Sequence, residues 1–199
     1  MVLNDNRKLY REVYDMKPNR TEIVTIPALQ YIIHRGIGTL NGIGRPNNCW
    51  AIWKIVNQLK RLTKNNLGYV FKLMPHEIEW HEQDGDRWTY TELMQVPDLI
   101  DFPLYEEARA NVEKRYKNEI VPGTEFVARQ QHLCAQRLHM GPYKETGRTV
   151  ERIVEDIREQ GYKVIGDRYE IYVNPPECQP TPNQWKTIVR MPVSALSTT

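Results

Sequence analysis

Cysteine is scarce in this chain of 199 residues: only Cys49, Cys134 and Cys178, an odd number at unrelated spacings. That excludes a disulfide framework and suits a reducing compartment. No apolar run approaches the ~20 residues that a membrane-spanning helix needs. The first residues, Met1 to Arg7, lack the apolar stretch of a secretory signal, so a cytoplasmic location is expected. The formal net charge is only +2, with no basic stripe to recommend nucleic acid as a partner. Metal-ligand motifs are missing too: there is no H-E-x-x-H and no Cys-x-x-Cys, and His76 and His81 are five apart in a strand-like run and face opposite ways. The glycines at 36, 38, 42 and 44 fit neither the dinucleotide nor the P-loop spacing and read as a loop. No Ser-centred nucleophile elbow occurs, and Cys134 in mid-strand reads as buried and inert. No metal and no cofactor are expected.

What is present is a repeat. Gly68-Tyr69, seven residues and Glu77-Ile78 return as Gly161-Tyr162, seven residues and Glu170-Ile171. Upstream of each lies an apolar quartet at i, i+3, i+4, i+7: Ile52, Ile55, Val56, Leu59, and Val150, Ile153, Val154, Ile157. Earlier still, strand-like runs end in His34-Arg35-Gly36 and His139-Met140-Gly141. Downstream, Trp-led strands run from Trp88 to Met94 and from Trp185 to Met191. The expected fold is α+β: duplicated strand–helix–strand–strand units with pseudo-twofold symmetry and a central ligand cleft. One domain spans 1–199, with repeat one at about 21–97, a connector at 98–129 carrying a charged helix, and repeat two at about 130–193.

Further expectations are local. A short N-terminal helix, ended by Pro18, docks through a face of Leu9, Val13 and Met16. The first strand, Glu22 to His34, bends at Pro27, and Asp84-Gly85 marks a hairpin turn. Asn47 and Asn48 cap the first helix, Gly161 closes the second, and the prolines at 175, 176, 180 and 182 stiffen the last loop.

Strand alternation puts Tyr169, Ile171 and Val173 on one face and Glu170 and Tyr172 on the other. If each isoleucine packs under its own helix, Glu77 and Glu170 both point toward the duplication axis. Two carboxylates in a poorly hydrated cleft do not both ionise cheaply, so one pKa rises, which suits proton transfer near neutrality. Trp53, Trp80, Trp88 and Trp185 read either as core or as a wall for a flat or cationic ligand. His34 and His139, at matching strand ends, read as hydrogen-bonded structure.

Gly44-Arg45-Pro46-Asn47, Pro75-His76-Glu77 with Trp80, Leu93-Met94 with Pro97, Gln136 through Tyr143, Tyr169-Glu170-Ile171-Tyr172 and Lys186 through Val193 together resemble the GyrI-like small-molecule-binding family. The resemblance covers nearly the whole chain. It departs where the family often has His-His before Glu-Ile-Tyr, here Arg168-Tyr169, and Trp in place of His81. The resemblance implies a cleft between the halves that takes hydrophobic, often cationic, molecules. Some stand-alone members resemble enzymes that hydrolyse the cyclopropane of DNA-alkylating natural products of the yatakemycin and duocarmycin kind. For that chemistry the resemblance implies Glu170 as base, Tyr172 as oxyanion donor or support, and Glu77 as the opposing carboxylate, with the two glutamates exchangeable. Trp80, Trp88, Tyr143, Trp185, His139 and Trp53 are the expected ligand contacts. The partner is then an aromatic or cyclopropanoid small molecule, with neither nucleic acid nor membrane bound directly; the oligomeric state is open. The alternatives are a non-catalytic binding or sequestering protein and, third, an inhibitor of a partner protein.

Overall fold

The computed structural model describes residues 3–39, 50–117, 123–174 and 181–196. The chain runs β1 (Leu3–Asn4), α1 (Asn6–Leu9), α2 (Arg11–Tyr14), β2 (Thr21–Ile26), β3 (Leu29–Thr39), α3 (Trp50–Leu67), β4 (Val70–Phe71), β5 (His76–Asp84) and β6 (Arg87–Val96). It continues with α4 (Phe102–Arg115), β7 (Glu125–Arg129), β8 (His132–Met140), α5 (Thr146–Glu159), β9 (Tyr162–Val164), β10 (Arg168–Tyr172) and β11 (Lys186–Ala195). The glycines at 42 and 44, the Asn47–Asn48 cap, Cys49, Cys178 and the prolines at 175, 176 and 180 lie outside the described residues.

The main sheet has the order β2-β8-β11-β10-β5-β6-β3-β7, with β9 added on β11. The central pair, β5 and β10, is antiparallel. From that pair outward the order is β5, β6, β3 on one side and β10, β11, β8 on the other. Each side is one strand–helix–strand–strand unit, and the chain is α+β as its sequence suggests. The outermost strands are exchanged. β2 leads into β3 but pairs with β8, and β7 leads into β8 but pairs with β3. Each long strand therefore breaks (at Pro27 in the first unit) and reaches across to the other unit. β7 is absent from the sequence reading, where it is part of the connector.

Helices α3 and α5 lie on one face of this sheet. The buried side of α5, through Ile153 and Ile157, packs on Ala135, Val189 and Met191. The quartet of α3 is buried at 0–1% exposure, and Ile55 shares a cavity wall with Phe126 of β7. Ala135, Val189 and Phe126 all belong to the same face when paired positions are followed across the sheet. Burying such side chains contributes roughly 1.5–3 kcal/mol each. Val154, expected in the α5 stripe, is 44% exposed and points outward. Gly161, at φ 81°, closes α5 in the left-handed region that only glycine enters freely.

The N-terminal segment lies on the opposite face. Val13, Tyr14 and Met16 are buried there, while Leu9, expected on the same face, is exposed; Asn6 Nδ2 donates to Gln95 Oε1 (3.0 Å) and Arg190 Nη2 to the Val13 carbonyl (3.1 Å). Gly36 and Gly38, expected in a loop, are in β3. The ring of Tyr90 occupies the space beside them, and a Cβ on Gly36 would stand 2.6 Å from it. Among the described residues no helix is long and apolar enough to cross a membrane.

Candidate functional site

Directly paired residues of an antiparallel ladder point to the same side of the sheet. Across β10 and β5, Glu170 pairs with Ile78 and Ile171 with Glu77. Glu170 therefore faces the helices, and Glu77 faces the N-terminal segment. The expectation of two glutamates in one cleft fails here. The Gly-Tyr-x7-Glu-Ile repeat counts residues through connections that differ between the units, and a slip of one residue moves a side chain to the other face.

Glu77 is part of a buried polar network. It is 1% exposed and accepts from the Tyr14 hydroxyl at 3.1 Å. Burial pushes its carboxyl up, and the charge of Arg190 is the main opposing influence. Arg190 in turn donates to Gln136 Oε1 at 3.1 Å. On the same face Glu79 is held by Arg129 and Tyr169, whose hydrogen bonds outweigh burial and lower its pKa. His81 stands between Asp167 (2.6 Å) and Thr91 (2.8 Å). Glu79, His81 and Asp167 are close enough to share an ion, but the protein's own donors already engage each of them. Burial pushes the Cys134 thiol up to about 11, which leaves it a poor nucleophile.

The helix-bearing face holds a different assembly, built on the alternation of β10 and β5. Glu170 is 1% exposed, with Tyr172 and Arg168 beside it on its own strand and Ile78 across. The Tyr172 hydroxyl donates to Glu170 Oε2 at 2.9 Å. Burial, then the charge of Glu170, pushes the phenol well above its ordinary pKa, so it remains a neutral donor. Glu170 Oε1 is buried with no hydrogen-bond partner among the described residues. Arg168 Nε lies 3.6 Å from it, and the guanidinium sits 5.6 Å from the Trp88 ring and 6.0 Å from that of Trp80.

Two groups of aromatic rings stand on this face, one against Tyr172 and one beside Arg168. Tyr143 packs edge-on against Tyr172, with centroids 4.8 Å apart, and tilts against Trp185 at 4.6 Å. Trp80 meets Trp88 at 5.8 Å and Tyr90 at 6.0 Å. Ile78, Trp80, Tyr90 and Tyr172 form one buried cluster, joined by Trp88 and Tyr143. The structure thus brings together Glu170, Tyr172, Trp80, Trp88, Tyr143 and Trp185. It does not bring in the other three. Glu77 is behind the sheet. His139 is fully engaged, with Nδ1 on Thr149 Oγ1 (2.8 Å) and Nε2 on the Pro142 carbonyl (3.2 Å). Trp53 is 38% exposed on α3, with no ring contact to the cluster among the described residues.

Other polar groups reach this face that sequence reasoning passed over. Trp80 Nε1, Arg168 Nη2, His76 Nε2, Thr187 Oγ1 and both oxygens of Glu92 are buried without hydrogen-bond partners among the described residues. Following the pairings places all five residues on the side of Glu170. Buried polar atoms are paired in the great majority of cases, so a cluster of orphans in one place marks where a ligand's polar groups belong. A cavity of about 420 Å³ lies elsewhere, between α4 and β7. Of its charged lining groups, Arg109 pairs with Glu106 and Glu113, and Glu125 pairs with Arg35 outside the lining.

Comparison with known proteins agrees with this architecture. Residues 16–194 match the GyrI-like small molecule binding domain. Comparison with curated protein sequences gives no match. Among solved structures, an uncharacterized conserved protein from Listeria innocua superposes with a TM-score of 0.84 at 22% identity, covering 96% of this chain and all of that one. A hydrolase from Listeria innocua gives 0.83 at 24%, again over 96% of this chain and all of that one. The C-terminal domain of EcmrR gives 0.58 at 16%, over 89% of this chain and 98% of its own. The match spans most of the sequence and both units of the sheet, and the chain belongs to the GyrI-like small-molecule-binding domain family.

Proposed function

We propose that this protein is a cofactor-free hydrolase of planar aromatic electrophiles, and that its substrates are the cyclopropane-bearing, DNA-alkylating natural products implied by the family resemblance. The observation that carries the reading is the state of Glu170. One carboxylate oxygen accepts from Tyr172, and the other is buried with no hydrogen-bond partner among the described residues, 3.6 Å from Arg168 and on the face that carries the aromatic cluster. A carboxylate held in this way orients a water molecule and takes its proton as the oxygen attacks carbon. Flat walls of Trp and Tyr hold a flat substrate in line with that water. Ring opening in the pocket destroys the alkylating group and protects the cell's DNA.

Arg168 favours hydrolysis over simple capture of cations. It lies 3.6 Å from Glu170 and over two indole faces, so it offsets the negative charge and occupies the surfaces that attract a cationic drug. The test is incubation of the protein with a cyclopropyl dienone in ¹⁸O-labelled water, followed by mass analysis. The proposal expects one labelled water added per molecule of product; unchanged dienone bound to the protein supports sequestration instead.

A further inference from the structure

Glu92 and Glu170 flank Ile78, which is the direct cross-strand partner of both. Two strand-to-strand steps separate their backbones by roughly 10 Å. Their surroundings differ. Glu170 has a donor in Tyr172 and a cation in Arg168. Glu92 is 0% exposed, and neither of its oxygens has a hydrogen-bond partner among the described residues. His76 Nε2, at 3.8 Å, is beyond hydrogen-bond range. Burial pushes the His76 imidazole down to about 4, so it supplies no charge. His34, across from Glu92 on β3, has its Nδ1 on the Gly123 carbonyl at 2.7 Å. Burial pushes the Glu92 carboxyl up to about 7. The neutral acid is then well populated near neutrality, and no hydrogen-bond partner among the described residues takes up its proton.

We infer that Glu92 is the proton donor of the pocket, aimed at a carbonyl oxygen of the substrate at the end remote from Glu170. The inference rests on the hydrolase reading above and adds a second catalytic residue and a substrate requirement to it. In a cyclopropane fused to a dienone, the methylene that water attacks and the carbonyl oxygen lie at opposite ends of one six-membered ring. Two acid–base groups set apart on either side of Ile78 match that separation, whereas two adjacent carboxyls do not. The step balances. Water oxygen bonds to the methylene carbon, the cyclopropane C–C bond breaks, and its electron pair enters the ring, which becomes aromatic. The former carbonyl oxygen becomes a phenol by taking the Glu92 proton, and Glu170 takes the proton from water. Exchange with solvent returns both carboxyls to their starting states. The site therefore selects electrophiles conjugated to a carbonyl and leaves a cyclopropane without one untouched.

Glu92→Gln keeps the shape and a hydrogen-bond donor but has no proton to transfer. In single-turnover reactions with a cyclopropyl dienone it is expected to retain binding, read as quenching of tryptophan fluorescence, and to lose ~10²–10⁴ in rate. Turnover at the wild-type rate overturns the assignment. If the wild type opens no dienone, the hydrolase reading fails by itself, and Glu92 is judged separately by infrared spectroscopy of a bound, unreactive aryl ketone. A carbonyl band lowered in the wild type but not in Glu92→Leu supports the donor, and identical bands in the two proteins overturn it.

Discussion

Glu170 and Glu92 stand on the same face of the sheet, either side of Ile78, while Glu77 points out of the opposite face. The two carboxyls that share this face are thus not related by the sequence repeat. Their environments differ: Glu170 is hydrogen-bonded and near a cation, and Glu92 is buried with no hydrogen-bond partner among the described residues. Pairs of acids divided in this way are a common arrangement for acid–base chemistry near neutral pH.

The first prediction concerns stability and pH. Glu92 in the folded chain holds its proton up to about pH 7, whereas in the unfolded chain it releases it near the ordinary 4.5. Between those values the native state binds more protons, so stability falls as pH rises and levels off above about 7. The loss is on the order of 1–3 kcal/mol. Glu77, also raised, contributes in the same direction, so the comparison that isolates Glu92 is wild type against Glu92→Leu. Denaturant midpoints at pH 5 and pH 8 should show a smaller difference in the variant, which should also be the more stable protein at pH 8. Equal pH dependence in the two chains contradicts the placement of Glu92 in a dry site.

Behind the sheet, Arg190 is the cation nearest to Glu77 in effect and also holds the Val13 carbonyl. Arg190→Ala leaves a buried carboxylate uncompensated and loosens the N-terminal segment. A loss of ~3–5 kcal/mol is expected from urea unfolding. A loss below 1 kcal/mol would show that the network is hydrated and not buried.

Tyr172→Phe removes the hydroxyl that fixes Glu170 Oε2 and keeps the ring that packs on Tyr143. Turnover should fall less than in Glu170→Gln, since one hydrogen bond to a charged group is worth about 1.5–3 kcal/mol. Ligand affinity should change little. The kinetic comparison of the two variants checks this order, and a Tyr172→Phe defect as deep as that of Glu170→Gln contradicts a supporting role.

Much of the fold is legible in the sequence because its signals are local. The α3 quartet, the Asp84-Gly85 turn, Gly161 and the alternation in β10 each depend on neighbours within a few residues. The relation between the two units depends on register between strands far apart in sequence, and the glutamate repeat does not carry it. The β5–β6 hairpin shows the difficulty on a small scale. Counting back from the turn, where Asp84 pairs with Arg87 and Gln83 with Trp88, would set Glu92 opposite Glu79. An irregularity between Trp80 and Gln83 shifts the pairing by one residue, so that Glu92 faces Ile78. Every residue from Tyr90 to Val96 is buried, so β6 shows no polar–apolar alternation that could have revealed the shift. β7 escaped notice because it is short and sits in a polar connector. Gly36 and Gly38 read as loop because the ring that needs their missing side chains, Tyr90, is distant in sequence.

The face assignment is tested most directly by measuring ring opening of one cyclopropyl dienone by Glu170→Gln and Glu77→Gln side by side, each rate taken per folded molecule. The structure puts Glu170 on the face of the aromatic cluster and Glu77 on the far side of the sheet, under the N-terminal segment. Glu170→Gln should lose ~10²–10⁴ in rate, and Glu77→Gln should turn over as the wild type does while unfolding at lower denaturant. Loss of turnover in Glu77→Gln with undiminished turnover in Glu170→Gln would contradict the account.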